Sequence, residues 1–168
     1  MIHWFKRLAA LAAVTIVTAC GGSDDPAPTP NIVGLAQATP SLSILVEAVV
    51  AADLVTTLSG PGPFTVFAPT NDAFAALLTE LGITKAALLA DKPLLTKVLT
   101  YHVVSGRVLK AAVPVGTPIT TVEGETFTVD ATLAITDQRG RKANITTTDV
   151  LASNGVVHLI DKVILPKP

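Results

Sequence analysis

A chain of 168 residues, 49% of them hydrophobic and 15% charged, has the size of one domain with a core of its own. The formal net charge is −1, and residues 1–19 hold Lys6 and Arg7 but no acids, so the remainder stands at −3; this excludes the basic face that nucleic-acid binding requires. The single cysteine, Cys20, excludes an internal disulfide, and a chain with one tyrosine and no tryptophan beyond Trp4 has little on which to stack sugars.

Lys6 and Arg7 precede an apolar run, residues 8–18. A bilayer span needs about 20 such residues, so the run reads as the core of a secretory signal. It ends in Val17-Thr18-Ala19-Cys20, which resembles a bacterial lipobox. Residues 1–19 are then a lipoprotein signal peptide, and the resemblance implies that the Cys20 thiol receives a diacylglyceryl group. Each buried CH₂ contributes about 0.8 kcal/mol, so two or three chains anchor stably. The expected location is the bacterial envelope, by a lipid anchor on Cys20. Gly21 after the cysteine favours the outer membrane or cell surface, with the periplasmic face as the alternative. Residues 20–30 read as the lipidated cysteine and a flexible linker of glycine, aspartate and alternating proline. At about 3.1 Å per residue in polyproline II, such a tether reaches on the order of 30 Å.

From residue 31 the pattern is helical. Ile32, Val33, Leu35 and Ala36 begin a short helix. Thr39-Pro40 read as the cap and first residue of a second, with Leu42, Leu45, Val46, Val49 and Val50 on its apolar face. Gly60-Pro61-Gly62-Pro63 marks a turn. Thr65-Val66-Phe67 suits a buried strand. Thr70 then caps a helix from Asn71, Asp72 complements its positive end, and Ala73, Phe74, Leu77, Leu78 and Leu81 form its packing stripe. Thr84 and Asp91 predict two further caps, opening helices at 85–89 and 92–99.

Strands dominate the second half of the chain. Tyr101-His102-Val103-Val104 reads as one, and Phe127/Val129 and Leu133/Ile135 alternate with polar partners. Arg139, Arg141 and Lys142 bracket Gly140 as a solvated turn. The Asn154-Gly155 pair suits a tight turn into Val156–Ile160, which is apolar on both faces and reads as a central strand. Helices first and strands later indicate an α+β fold.

Three stretches resemble the fasciclin-type (FAS1) domain. They are FTVFAPTNDAF at 64–74, Tyr101-His102-Val103-Val104, and Asn154-Gly155-Val156-Val157-His158 continuing to Pro166. Their order suits one domain over residues 31–168. The resemblance implies a wedge or sandwich of strands flanked by several short helices. In it Phe67, Pro69, Thr70, Asn71, Asp72, Phe74, Asn154, Gly155 and His158 are structural. It further implies an adhesion module, attaching to a cell, matrix or surface partner. By analogy with adhesive members of the family, Tyr101, His102, Asp149 and Val150 are the candidate face. A turn or capping aspartate is the plainer reading of Asp149. Carriage of an apolar small molecule, a lipid or carotenoid, is the alternative function.

No enzyme is expected. There is no His-Glu-x-x-His, Cys-x-x-Cys, Gly-x-Ser-x-Gly or phosphate loop, and no cofactor or metal is implied. His102 and His158 sit among apolar neighbours and read as buried, hydrogen-bonded residues. Asn144-Ile145-Thr146 fits a glycosylation sequon, which a bacterial lipobox makes irrelevant.

Overall fold

The computed structural model describes residues 28–168; residues 1–19, expected as a signal peptide, and most of the expected linker at 20–30 lie outside them. The first half is helical. Helices α1 (Ile32–Gln37), α2 (Ser43–Ala51) and α3 (Val55–Leu58) precede strand β1 (Phe64–Pro69). Helices α4 (Asn71–Leu81), α5 (Lys85–Ala90) and α6 (Lys92–Tyr101) come next. The second half supplies β2 (Val103–Ser105), β3 (Pro118–Thr120), β4 (Thr126–Val129), β5 (Ala134–Thr136), β6 (Lys142–Ala152) and β7 (Gly155–Ile160).

Several local signals hold. Thr70 accepts from Ala73 N–H, Thr84 from Ala87 N–H and Asp91 from Leu94 N–H, each opening its helix. Thr39 caps nothing: its hydroxyl donates back to Leu35 O at 2.8 Å, and Pro40–Leu42 form a 3-10 turn before α2 begins at Ser43. The start of α2 is instead held from outside. Asn71 accepts from Ile44 N–H at 3.0 Å and donates to Pro40 O at 3.1 Å. The predicted stripe of α4 is narrower than expected, since Leu81 lies beyond the packed turn and is 41% exposed.

The sheet order is β2-β1-β7-β6-β5-β4-β3. Pairing is antiparallel except between β1 and β7, which run parallel from Phe64↔Gly155 to Pro69↔Ile160. β7 is therefore central, as its two apolar faces predict. The far ends approach each other where Val122 N–H donates to Val103 O at 2.8 Å, so the sheet curls into a wedge close to a barrel. The architecture is α+β, with the helices packed on one face.

The curl divides the core. On the helical side, Val66, Ala68 and Val157 pack with Leu42, Leu45, Phe74, Leu95 and Leu99. Inside the curl, Phe67, Tyr101, Phe127, Val129, Ile135 and Ile160 pack together. Phe67 meets Phe127 edge-on at 5.1 Å, and Tyr101 meets it at 6.1 Å. β1 feeds both cores because successive side chains point to opposite faces.

The turn between β6 and β7 consists of Ser153 and Asn154, and Gly155 is the first residue of β7. Gly155 is needed for a reason other than the turn. A Cβ there would stand 2.0 Å from Phe64 O, so only glycine lets β1 approach. Asn154 ties three segments together. Its side chain accepts from Ile32 N–H at 2.9 Å and donates to Leu58 O at 2.8 Å and Gly60 O at 2.9 Å.

Candidate functional site

The four residues of the expected adhesive face do not share a face. Tyr101 ends α6 and His102 is its C-cap, so neither lies in a strand; the strand begins at Val103. Both are buried, at 0% and 1% exposure, and a side chain with no exposed surface cannot contact a partner directly. The Tyr101 hydroxyl donates to Thr126 O at 2.9 Å, and burial pushes its pKa up. Val150 packs against the helical core. Asp149 and the half-buried Val150 reach solvent in part.

Asp149 lies within β6, in neither a turn nor a helix cap. The pairing of Thr147 with Leu159 and of Val150 with Val157 leaves two residues of β6 opposite one of β7, a β-bulge facing His158. Asp149 takes φ +58° there. The imidazole of His158, itself fully buried, holds the bulge. Its Nδ1 accepts from Asp149 N–H at 3.2 Å, and its Nε2–H donates to Val108 O at 2.9 Å. The carboxylate of Asp149 in turn accepts from Lys110 N–H at 2.7 Å. One imidazole thus joins the bulge to the 108–110 segment that lies over it.

A shallow open groove of about 470 Å³ runs beside this bulge, lined by Lys110, Val115, Thr132, Leu133 and Asp149 among others. Val115 is 53% exposed. Leu133 precedes β5, although its alternation with Ile135 predicts a strand residue, and it also has positive φ, +63°. Three described non-glycine residues have positive φ, and two of them line this groove. That conformation costs about 1–2 kcal/mol per residue, and such strain collects at functional sites.

His102 has a different surrounding. Its Nδ1–H donates to Val98 O at 2.7 Å, and its Nε2 accepts from Ile164 N–H at 3.2 Å. Burial pushes its pKa down to about 4, and its hydrogen bond to Val98 opposes this. The imidazole is neutral at pH 7 and joins α6 to the C-terminal segment. Arg139 and Arg141 are less solvated than expected. Buried Asp137 accepts both backbone N–H groups, Arg139 donates to Pro166 O, and Arg141 pairs with Glu80 of α4 at 2.6 Å.

An apolar notch of about 30 Å³ opens on the helical side, between Ile32, Val46, Val49, Val55 and Leu99. It has room for roughly two waters, where a small-molecule site takes about 300–1,000 Å³. Among the described residues, no three His, Cys, Asp or Glu side chains are placed to hold a metal ion. No described helix is long and apolar enough to cross a membrane.

The model of the fasciclin domain matches residues 40–166. The chain belongs to the fasciclin-domain family. It is 49% identical over 139 residues to protein sll1483 of Synechocystis, covering 81% of this chain and 73% of that one. It is 33% identical over 138 residues to the transforming growth factor-beta-induced protein ig-h3 of Sus scrofa, covering 82% of this chain but 20% of that longer one. The FAS1 domain pair of the insect cell adhesion molecule fasciclin I shares the fold. It superposes with TM-score 0.73 at 18% identity, over 82% of this chain and 51% of that one. One fasciclin domain of this chain thus corresponds to one of the pair.

Lys110, Val115 and Leu133 of the groove have no signal in the sequence, because they come from segments that meet only in the fold. Asp149 has a weak one: aspartate tolerates the left-handed region better than most residues.

Proposed function

We propose that this fasciclin-domain protein is an envelope-displayed binding module that attaches its cell to a cell, matrix or surface partner through the groove beside Asp149. The observation that carries the reading is the strain at that groove. Two bulky or charged residues are held at positive φ there, and a buried imidazole fixes the bulge. Adhesion is a property of the insect relative and supports the class of function.

Display follows from the lipobox reading of residues 17–20, by diacylglycerylation of Cys20. Membrane fractions of cells producing Cys20→Ser should lose the protein, together with its lipid label. Unchanged membrane retention would sink the anchor. The carrier alternative gains no support from the apolar notch, which is too small for a lipid or pigment as it stands.

The adhesion test compares beads coated with the protein and with Asp149→Ala, exposed to the producing bacterium, matrix proteins and bare polymer. Attachment should fall several-fold with Asp149→Ala in protein that still unfolds cooperatively above the assay temperature. Equal attachment by both would remove Asp149 from the contact.

A further inference from the structure

The second half of β6 is a strand edge that pairs with β7 alone among the described residues. β5 pairs with β6 only from Lys142 to Asn144, and Ile145 N–H donates to Leu133 O as the last link. Beyond it, residues 146–152 pair with β7 on one side. Among the described residues, no backbone hydrogen bond joins them to any other segment. Main-chain groups of alternate residues point to opposite edges, so about half of those in this stretch point away from β7. Thr146 and Thr147 are exposed, and Leu151 is 50% exposed.

Proteins cover or blunt such edges, since a row of unpaired N–H and C=O groups templates another strand. Among the described residues the row is interrupted by the Asp149 bulge, with the 108–110 segment over it. The ligand that matches it is a second extended main chain. Charge narrows the choice. Lys110 lines the groove beside the edge and Arg107 precedes it in the same segment; neither forms an ion pair among the described residues. The carboxylate of Asp149 accepts the Lys110 amide and not its ammonium group, which has no acidic partner among the described residues.

We propose that residues 146–152 accept an extended polypeptide segment of the partner as an added strand, with an acidic side chain of that segment set against Lys110. This rests on the adhesion reading and gives its partner a chemistry: polypeptide, extended and acidic.

The test uses the full chain carrying Cys20→Ser, labelled with ¹⁵N. Blocked hexapeptides of alternating threonine and valine, with one central glutamate or one central lysine, are titrated in. A third peptide keeps the glutamate and has alternate amides N-methylated. The glutamate peptide should shift and protect the amides of residues 146–152, and N-methylation should abolish this. Lys110→Glu should weaken the glutamate peptide about three- to fivefold, as one partly exposed ion pair does, and favour the lysine peptide. Absence of shifts at millimolar peptide would overturn the inference. So would shifts confined to 107–115 and 131–133, or shifts indifferent to N-methylation. A chain that sediments as a dimer with 146–152 already protected would assign the edge to a second copy and overturn it too. Peptide uptake is read without adhesion, so failed uptake with intact bead attachment sinks this inference alone. Uptake without bead attachment sinks the adhesion reading alone.

Discussion

Asn154 shows how much one side chain can hold. It satisfies the amide of Ile32 and the carbonyls of Leu58 and Gly60, and its backbone carbonyl accepts from Phe64 N–H. The start of α1, the end of α3 and the entry to β1 therefore all converge on the β6–β7 turn. Asn154→Ala leaves three main-chain groups without their partner. At about 1 kcal/mol for each, the expected loss is about 3 kcal/mol. Urea unfolding at pH 7 checks it, and a loss below about 1 kcal/mol would mean that water replaces the amide. His158 acts comparably at the bulge of β6, fixing the backbone of Asp149 through one nitrogen and Val108 through the other.

At the scale of elements, helix starts are held in two ways. α4, α5 and α6 open on their own caps, Thr70, Thr84 and Asp91. α2 has no side-chain cap of its own and borrows Asn71 from the first turn of α4. Asn71 therefore joins two helices, whereas Thr70 serves one, with a long contact of 3.4 Å to Ala73 N–H. Asn71→Ala should cost about 1–2 kcal/mol and Thr70→Ala about 0.5–1 kcal/mol. The order is the test. A larger loss for Thr70→Ala, by urea unfolding of both variants, would show that α2 starts without Asn71.

At the scale of the whole molecule, His102 joins α6 to the C-terminal segment and makes acid a global stress. Its native pKa is lowered to about 4 by burial, below the ordinary 6.5. The unfolded chain therefore takes up a proton as pH falls through 6.5, and the native chain does not until about 4. Stability should decline across that window, by about 3 kcal/mol in total from this one group. Unfolding free energies measured from pH 7 to pH 4 test it. His102→Asn should show a shallower decline, and an identical slope would assign the acid sensitivity elsewhere.

The same scale separates what the chain reveals as a string from what only its packing decides. Local signals were sufficient where the determining groups are neighbours in sequence. Thr70, Thr84 and Asp91 lie three residues from the amides they accept, and β7 shows its central place by being apolar on both faces. Together with the motifs at 64–74 and 154–166, these determined the fold class and the family. Tyr101 and His102 differ because an apolar tetrad does not say where a helix ends; α6 runs on through Tyr101 to place its ring against Phe127. The Asn-Gly pair reads as a turn, but the Phe64 O that would stand 2.0 Å from a Cβ at Gly155 belongs to a strand about ninety residues earlier in the chain. The groove depends wholly on such meetings. Asp149, Lys110 and Leu133 come from three separate segments; positive φ at Asp149 is held by the distant His158 and Lys110, whereas that at Leu133 belongs to the local turn between β4 and β5. The sequence alone determined which family of fold forms, because helix caps and apolar periodicity act over a few residues. Only the tertiary structure decided which residues face a partner, because exposure is set by what packs on top.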